Sequence, residues 1–170
     1  TRAMYGCDEN DVDYDISAIR NSAFGYESLR SIRTGNNNSA FGYNALVNNS
    51  TGGTNTAIGQ GSMQMNSTGI GNTAIGGYTL DDNTTGGSNV AIGIYALQAN
   101  TTASNNIAIG IEALYSNTVT GNLLAIGTQA LRSNTTGFAN VAIGNNIAAV
   151  SATAKLVVRG EGATSSTRAL

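Results

Sequence analysis

A three-residue phrase, Ala followed by Phe or Ile and then Gly, occurs eight times in this chain at a constant interval of 17 residues. Its glycines, called the phrase glycines below, are Gly25, Gly42, Gly59, Gly76, Gly93, Gly110, Gly127 and Gly144. A short period repeated without drift is typical of a solenoid, in which every repeat forms one coil and stacks on the next. We therefore expect eight stacked coils, numbered 1 to 8 along the chain.

Two positions in each repeat carry large apolar residues, counting the phrase glycine as position 0. Position −2 is Ala in every repeat, and position −1 is Phe24, Phe41, Ile58, Ile75, Ile92, Ile109, Ile126 or Ile143. Position +4 is Leu29, Leu46, Met63, Leu80, Leu97, Leu114 or Leu131 in the first seven. Alternating residue types and β-branched side chains indicate a short strand ending at position −1. We expect a second strand at +2 to +4 that returns the +4 residue to the same interior as the −1 residue, with the phrase glycine as the bend between the strands.

Asparagine recurs at two places in the repeat. A turn phrase, Asn-Ser-Thr-Gly or Asn-Thr-Thr-Gly, lies at residues 49–52, 66–69, 83–86 and 134–137, and these residue types favour turns. Position −4 is Asn in seven repeats, with Leu123 as the exception. Identical amides in stacked strands can hydrogen-bond along the stack, so the sequence predicts asparagine ladders. The fold class that follows is all-β, a parallel β-solenoid of eight 17-residue coils.

The small number of large apolar residues in each coil predicts that the chain associates with copies of itself. Two large apolar side chains are a small core for ordering 17 residues. The alanines at −2 form a strip of small residues that would let a second backbone approach closely; their alternative role is to fit inside a narrow coil. Position −3 becomes apolar in the later repeats, so either the core widens there or a neighbouring chain covers it; the residues are Val90, Ile107, Leu124 and Val141.

Charge divides the chain into three parts. Residues 1–17 are acidic and are predicted to be a cap or linker, residues 18–151 are the solenoid array, and residues 152–170 are the start of a following β module or a linker. Within the array the charges cancel, so it has no basic stripe for a nucleic acid and no polybasic segment for anionic lipid. No apolar run reaches membrane-spanning length. We therefore expect no nucleic-acid partner and no membrane insertion.

The residues of acid–base and metal chemistry are scarce. The chain has no histidine and one cysteine, Cys7, so a histidine base and a Cys-rich or histidine metal site are not available. Asp81, Asp82 and Glu112 would act as a hydrolytic carboxylate pair only if they converged across an interface between chains. We expect no enzymatic activity and no cofactor.

The acidic segment contains the one pattern with metal-binding spacing. Asp11, Asp13 and Asp15 alternate as in the first half of a calcium loop, and they are weak candidate metal ligands. However, Ile16 replaces the glycine of such a loop and Ser22 stands where its glutamate belongs. We favour a solvated cap, because charge on a terminal coil prevents pairing of its free edge.

The repeat resembles a known family of surface proteins. Residues 55–59 (Asn-Thr-Ala-Ile-Gly) and 89–93 (Asn-Val-Ala-Ile-Gly) resemble the head repeat of YadA-like trimeric adhesins. The fuller unit, residues 72–80 with the turn at 83–86, is similar to repeats of phage tail fibres and other bacterial or viral surface fibres, and the resemblance covers residues 21–148. It implies a left-handed parallel β-roll in which three chains lie side by side about one axis.

These observations together predict a non-enzymatic structural or adhesive segment of a trimeric surface fibre. Its location would be a virion, in a tail fibre or spike, or the outside of a cell. It would extend the fibre and present a surface to a cell-surface glycan or protein receptor, as host-attachment proteins do. The alternatives are a self-assembling extracellular filament subunit, an ice- or surface-binding solenoid, and a glycan-degrading trimeric fibre.

Overall fold

The computed structural model describes residues 18–148 and 156–158 of the chain. Nine strands of three residues form one sheet, the strand order follows the chain, and every neighbouring pair is parallel. The strands are β1 Ser22–Phe24, β2 Ser39–Phe41, β3 Thr56–Ile58, β4 Thr73–Ile75, β5 Val90–Ile92, β6 Ile107–Ile109, β7 Leu124–Ile126, β8 Val141–Ile143 and β9 Leu156–Val158. The predicted all-β parallel solenoid of about eight coils is confirmed.

Strands β1 to β8 pair in register at the interval of one repeat. Alanine at −2 lies beside alanine, and the residue at −1 lies beside its equivalent in the next coil. β9 pairs with β8 at a shorter interval, with Leu156 opposite Val141. The sheet thus continues by one strand past residue 151, where the sequence places the end of the array. Residues 1–17 and the remainder of 152–170 lie outside the described residues, so the roles predicted for them stay predictions.

The interior of each coil is narrow and contains columns of identical side chains. The alanines at −2 are fully buried from Ala40 to Ala142. The residues at +4 that the sequence predicts as core are also fully buried: Leu29, Leu46, Met63, Leu80, Leu97, Leu114 and Leu131. Small residues at +3, such as Ala45 and Ala96, complete the apolar part of the core.

The residues at −1, which the sequence analysis places in the same interior, point outward instead. Phe24, Phe41, Ile58, Ile75 and Ile143 are exposed, and Ile92, Ile109 and Ile126 are half-buried. Successive side chains of a strand point to opposite faces, and the alanine at −2 takes the inner face. The leucine and asparagine columns leave space there for little more than a methyl group. For the same reason the alanine strip is not a contact surface for a second chain, because its methyl groups lie inside their own coil.

Positions +1 to +6 form consecutive turns in coils 1 to 7, and the second strand predicted at +2 to +4 does not form. Leu46 and Leu97 at +4 have φ values of +52° and +53°, in the left-handed region that strands do not use. The turns still bond between coils. The N–H of Asn44 donates to the carbonyl of Tyr26 at 2.9 Å, and that of Leu46 donates to the carbonyl of Ser62 at 3.0 Å.

The phrase glycines make the bend that the sequence predicts, for two reasons. Their φ values lie between +125° and +146°, a conformation that side chains disfavour. Adjacent coils also approach closely there: a β carbon at Gly93 would lie 2.6 Å from the carbonyl oxygen of Gly110.

A first column of buried asparagines, at position −4, links the coils and closes each of them. The amide oxygen of Asn72 accepts a hydrogen bond from the backbone N–H of Asn89 in the next coil at 2.9 Å. Its Nδ2 donates across the interior to the carbonyl of Gly86 at 2.8 Å. The equivalent pair of bonds recurs in each coil from Asn38 to Asn106.

A second buried column, at position +7, forms a direct amide ladder of Asn49, Asn66, Asn83, Asn100, Asn117 and Asn134. Nδ2 of Asn83 donates to Oδ1 of Asn66 at 2.7 Å and to the carbonyl of Gly86 at 3.0 Å. That carbonyl also accepts from Asn72, so the two columns meet on it. The predicted asparagine ladders are therefore present, and they lie inside the coil, where their mutual bonds replace most of the hydrogen bonds that water would make.

The first column is interrupted at Leu123. Its own N–H is still bonded to Oδ1 of Asn106 at 3.0 Å, but its side chain offers no amide to coil 8. Both amide atoms of Asn140, which follows in the column, are buried and have no hydrogen-bond partner among the described residues.

Candidate interaction surface

The outward side of the sheet is a continuous surface that carries a large apolar residue in each of eight strands. It consists of positions −1 and −3 of β1 to β8 and is called the sheet face below. Its −1 residues run without a polar interruption from Phe24, which is 71% exposed, to Ile143. Position −3 changes from Ser and Thr in β1 to β4 to Val90, Ile107, Leu124 and Val141 in β5 to β8. The sheet face is therefore most apolar in its C-terminal half.

A second surface lies at the corner that follows the phrase glycine, and its six residues are called the tyrosine strip: Gln60, Tyr78, Tyr95, Glu112, Tyr115 and Arg132. Rings of Tyr78 and Tyr95 stack with centroids 5.7 Å apart and an interplanar angle of 14°. Tyr115 meets Tyr95 edge to face at 6.3 Å. The guanidinium carbon of Arg132 lies 5.0 Å from the centre of the Tyr115 ring. The strip thus connects coils 3 to 7 through continuous contacts.

The candidate carboxylates of the array do not form a pair. Glu112 accepts from Nε of Arg132 at 2.6 Å and from Nε2 of Gln129 at 2.9 Å, and these hydrogen bonds lower the pKa of Glu112. Asp81 has a buried Oδ1 without a hydrogen-bond partner; burial, and then the neighbouring carboxylate of Asp82, raise its pKa to about 6. Each carboxylate therefore has its own environment within the chain.

A file of exposed threonines follows the turn phrase at position +9: Thr34, Thr51, Thr68, Thr85, Thr102 and Thr136. Val119 interrupts the file in coil 6. The preceding hydroxyls are used within the solenoid, because Oγ1 of Thr84 donates to the carbonyl of Thr101 at 3.0 Å. The file is thus one residue wide.

Two kinds of feature were expected to be absent, and the structure reports on both for the residues that it describes. Residues 18–148 and 156–158 contain no group of three or more His, Cys, Asp or Glu side chains that could hold a metal ion. The candidate ligands Asp11, Asp13 and Asp15, like Cys7, lie outside these residues. Over the same residues, no helix has the length and apolar character needed to cross a bilayer.

Comparison of the chain with protein-family models, with curated proteins and with solved structures finds no match. The resemblance to adhesin and tail-fibre repeats therefore depends on the repeat phrases themselves.

The tyrosine strip is not among the surfaces predicted above from the sequence. Its signal was present in the repeat, since Tyr78 and Tyr95, like Glu112 and Gln129, are 17 residues apart. Side chains separated by one repeat lie beside each other in adjacent coils. Applying the period to polar and aromatic residues, and not only to apolar ones, would have placed these residues on one corner.

Proposed function

We propose that the chain is a non-enzymatic structural and adhesive segment of a homotrimeric surface fibre, in a phage or virus tail fibre or a bacterial adhesin. The observation that carries the proposal is the sheet face, on which eight large apolar residues point away from their own coil. An exposed column of apolar residues of this length is normally covered by a partner.

A second copy of the same chain is the partner that fits this surface best. The apolar residues of the sheet face recur at the rise of one coil, about 4.8 Å. A partner that packs along all eight coils needs the same rise, and an identical solenoid has it. Cyclic symmetry about an axis parallel to the coils keeps every rung of one chain level with its equivalents in the others. The number three and the left-handed winding come from the resemblance to trimeric fibre repeats.

A trimer of this kind would serve as a stiff spacer and a display surface. Each rung is tied to the next by backbone bonds and by two amide columns, so extension requires breaking many bonds together. With the sheet faces turned toward the common axis, the corners with their Tyr and Thr side chains remain on the outside. We place the protein on a virion or on an outer cell surface, where such a rod would hold a receptor-binding surface at a distance.

The mass of the chain in solution tests this proposal. Light scattering coupled to size exclusion is expected to give three times the chain mass of 17.3 kDa. Ile109→Asp, which puts a charge in the middle of the sheet face, is expected to abolish the trimer. Thr85→Asp, on the exposed threonine file, is the matched control and is expected to keep the mass unchanged. A folded monomer of the unmodified chain, or an Ile109→Asp trimer as stable as the control, would refute the proposal.

The threonine file favours a second candidate function, binding to the regular surface of a crystal such as ice. Its hydroxyls and methyl groups repeat at the coil rise over several coils. Thermal hysteresis of the purified chain, lost in a Thr68→Lys variant, is the expected result for this function. Ice growth that is unchanged by the chain would contradict it.

A further inference from the structure

We propose that the tyrosine strip is a binding site for an uncharged linear glycan that lies along the fibre axis. This inference rests on the proposed display function, because it names the ligand class and the residues of a surface that would face outward in the fibre. The strip contains phenol rings, amides and an internally neutralised ion pair, whereas the corner opposite it contains small Thr, Asn and Gly residues.

Two of the tyrosines occupy backbone positions that disfavour them. Tyr78 and Tyr95 stand at position +2 with φ values of +52° and +59°. The same positive φ occurs at +2 in the other coils, where Asn and Gly adopt it most readily and Glu and Gln do not: Asn44, Gly61 and Asn146, against Glu27, Glu112 and Gln129. Tyr at this position has a conformational cost that Asn or Gly would avoid. The side chains themselves therefore point to a role in recognition.

The charges of the strip are paired among themselves, which selects against a charged ligand. The carboxylate of Glu112 is bonded to Arg132 and to Gln129. The guanidinium of Arg132 in turn lies over the Tyr115 ring. One carboxylate and one guanidinium leave the strip with no net charge to attract an anion or a cation. An uncharged ligand does not need such an attraction.

The remaining polar groups of the strip both donate and accept hydrogen bonds. Nε2 of Gln60 donates to the hydroxyl of Tyr78 at 2.7 Å, which leaves the hydrogen of that hydroxyl free to donate outward. Within the described residues, the hydroxyls of Tyr95 and Tyr115 take part in no hydrogen bond. Sugar hydroxyls also donate and accept, and accessible apolar surface of the tyrosine rings can pack against the C–H groups of a pyranose. The chemistry is therefore that of a neutral glycan.

The length of the strip indicates a polymer and not a single sugar. It extends over five coils, and four rises of about 4.8 Å give roughly 19 Å. Its contact groups come from successive coils, so they lie in a line parallel to the solenoid axis. A chain of several sugar units can meet them in turn, and weak contacts then add along the strip.

Binding to immobilised hexasaccharides tests the inference on the intact 170-residue chain. The probes are β1,4-linked glucose, β1,4-linked N-acetylglucosamine and α1,6-linked glucose, with hyaluronan and a tyrosine-rich peptide as charged and protein comparisons. We expect at least one neutral hexasaccharide to bind better than its own disaccharide and better than both comparisons. Tyr95→Ala is expected to weaken that binding at least tenfold. Tyr95→Phe, which keeps the ring stack and removes one hydroxyl, is expected to weaken it about threefold to fivefold.

A matched control separates this inference from the proposed function. Tyr26 stacks on Tyr43 at 5.5 Å on the same corner but outside the strip, so Tyr26→Ala should leave glycan binding unchanged. The molar mass of every variant is measured by light scattering before its binding is measured. The glycan site alone is overturned if strip variants keep the mass of the parent and bind glycan as well as the parent does. It is also overturned if the parent chain binds none of the neutral probes, or if it prefers hyaluronan or the peptide. A monomeric parent chain refutes the fibre, whatever it binds.

Discussion

The hydrogen bonds of the asparagine column at −4 are expected to be a major source of stability, and the chain contains the control that isolates them. Asn72 and Asn140 occupy the same position in coils 4 and 8, and both are fully buried. The side chain of Asn72 makes four hydrogen bonds, whereas that of Asn140 makes none among the described residues. Asn72→Ala and Asn140→Ala therefore remove the same atoms and differ in the bonds that are lost.

The expected difference follows from those bonds. Removing the Asn72 amide leaves the buried N–H of Asn89 without an acceptor, which costs about 1–3 kcal/mol, and each further bond that is lost costs about 1 kcal/mol. The carbonyl of Gly86 is less affected, because it keeps its bond from Asn83. We expect Asn72→Ala to lower the free energy of unfolding by about 3–5 kcal/mol per chain relative to Asn140→Ala, since both changes leave a similar cavity.

Guanidinium unfolding followed by circular dichroism measures this difference, with the slope checked to be the same for both variants. If the last coil frays, Asn140→Ala would also leave the free energy of unfolding unchanged. A Leu123→Asn background separates the two explanations, because the amide introduced in coil 7 has Asn140 as its partner. There Asn140→Ala should cost at least 1 kcal/mol more than in the parent, whereas fraying leaves it silent in both backgrounds. Equal costs for Asn72→Ala and Asn140→Ala in the parent chain would refute the reasoning.

Two further changes test the interior and the bend. Because the folded-state pKa of Asp81, about 6, lies above its unfolded value, the folded chain holds the proton more tightly, so stability is expected to fall as pH rises from about 4 to about 6. The full shift corresponds to about 3 kcal/mol, and half-exposure of the side chain reduces it to the order of 1 kcal/mol. Asp81→Asn should remove this slope in melting temperatures measured between pH 4 and 7.5, and a slope that survives in the variant contradicts the assignment. Gly93→Ala should prevent folding at 37 °C, because its β carbon would overlap the carbonyl of Gly110, while Gly77→Ala, with its nearest neighbour 3.9 Å away, should be tolerated; similar melting temperatures for the two would contradict the close approach of the coils.

The period of the sequence predicted the fold because each coil of a solenoid must pair with the next in the same register, and this requirement repeats in every coil. Placing Gly59 and Gly76 one repeat apart is enough to place Ile58 beside Ile75, whatever the path of the chain between them. The same logic predicted the asparagine ladders. What the period does not contain is the direction in which a given column points, because inward and outward columns repeat equally well.

From the sequence, only hydrophobicity distinguishes an inward column from an outward one. That criterion predicts the wrong direction for the residues at −1. Ile92 is larger and more apolar than Ala91, so hydrophobicity predicts that Ile92 lies inside, yet Ala91 is the residue with no exposure. Burying an apolar side chain is favourable only where the space exists. The positive φ of Leu97 was equally hard to predict, because Leu avoids that conformation unless packing in the interior compensates for it.

The width of the coil connects the interior to the proposed assembly. In coil 5 the inner space is occupied by Leu97 and by the amides of Asn89 and Asn100, so the strand has room inside only for the methyl group of Ala91. The largest side chain of the strand, Ile92, must then point outward. A coil that satisfies its own polar groups so completely leaves most of the apolar surface of its sheet unburied, and it can bury that surface only against a neighbour. On this argument the narrow coil is the common cause of the buried amide columns and of the self-association that we propose. A variant with a wider coil, in which Ile92 lies inside, should therefore lose its tendency to associate.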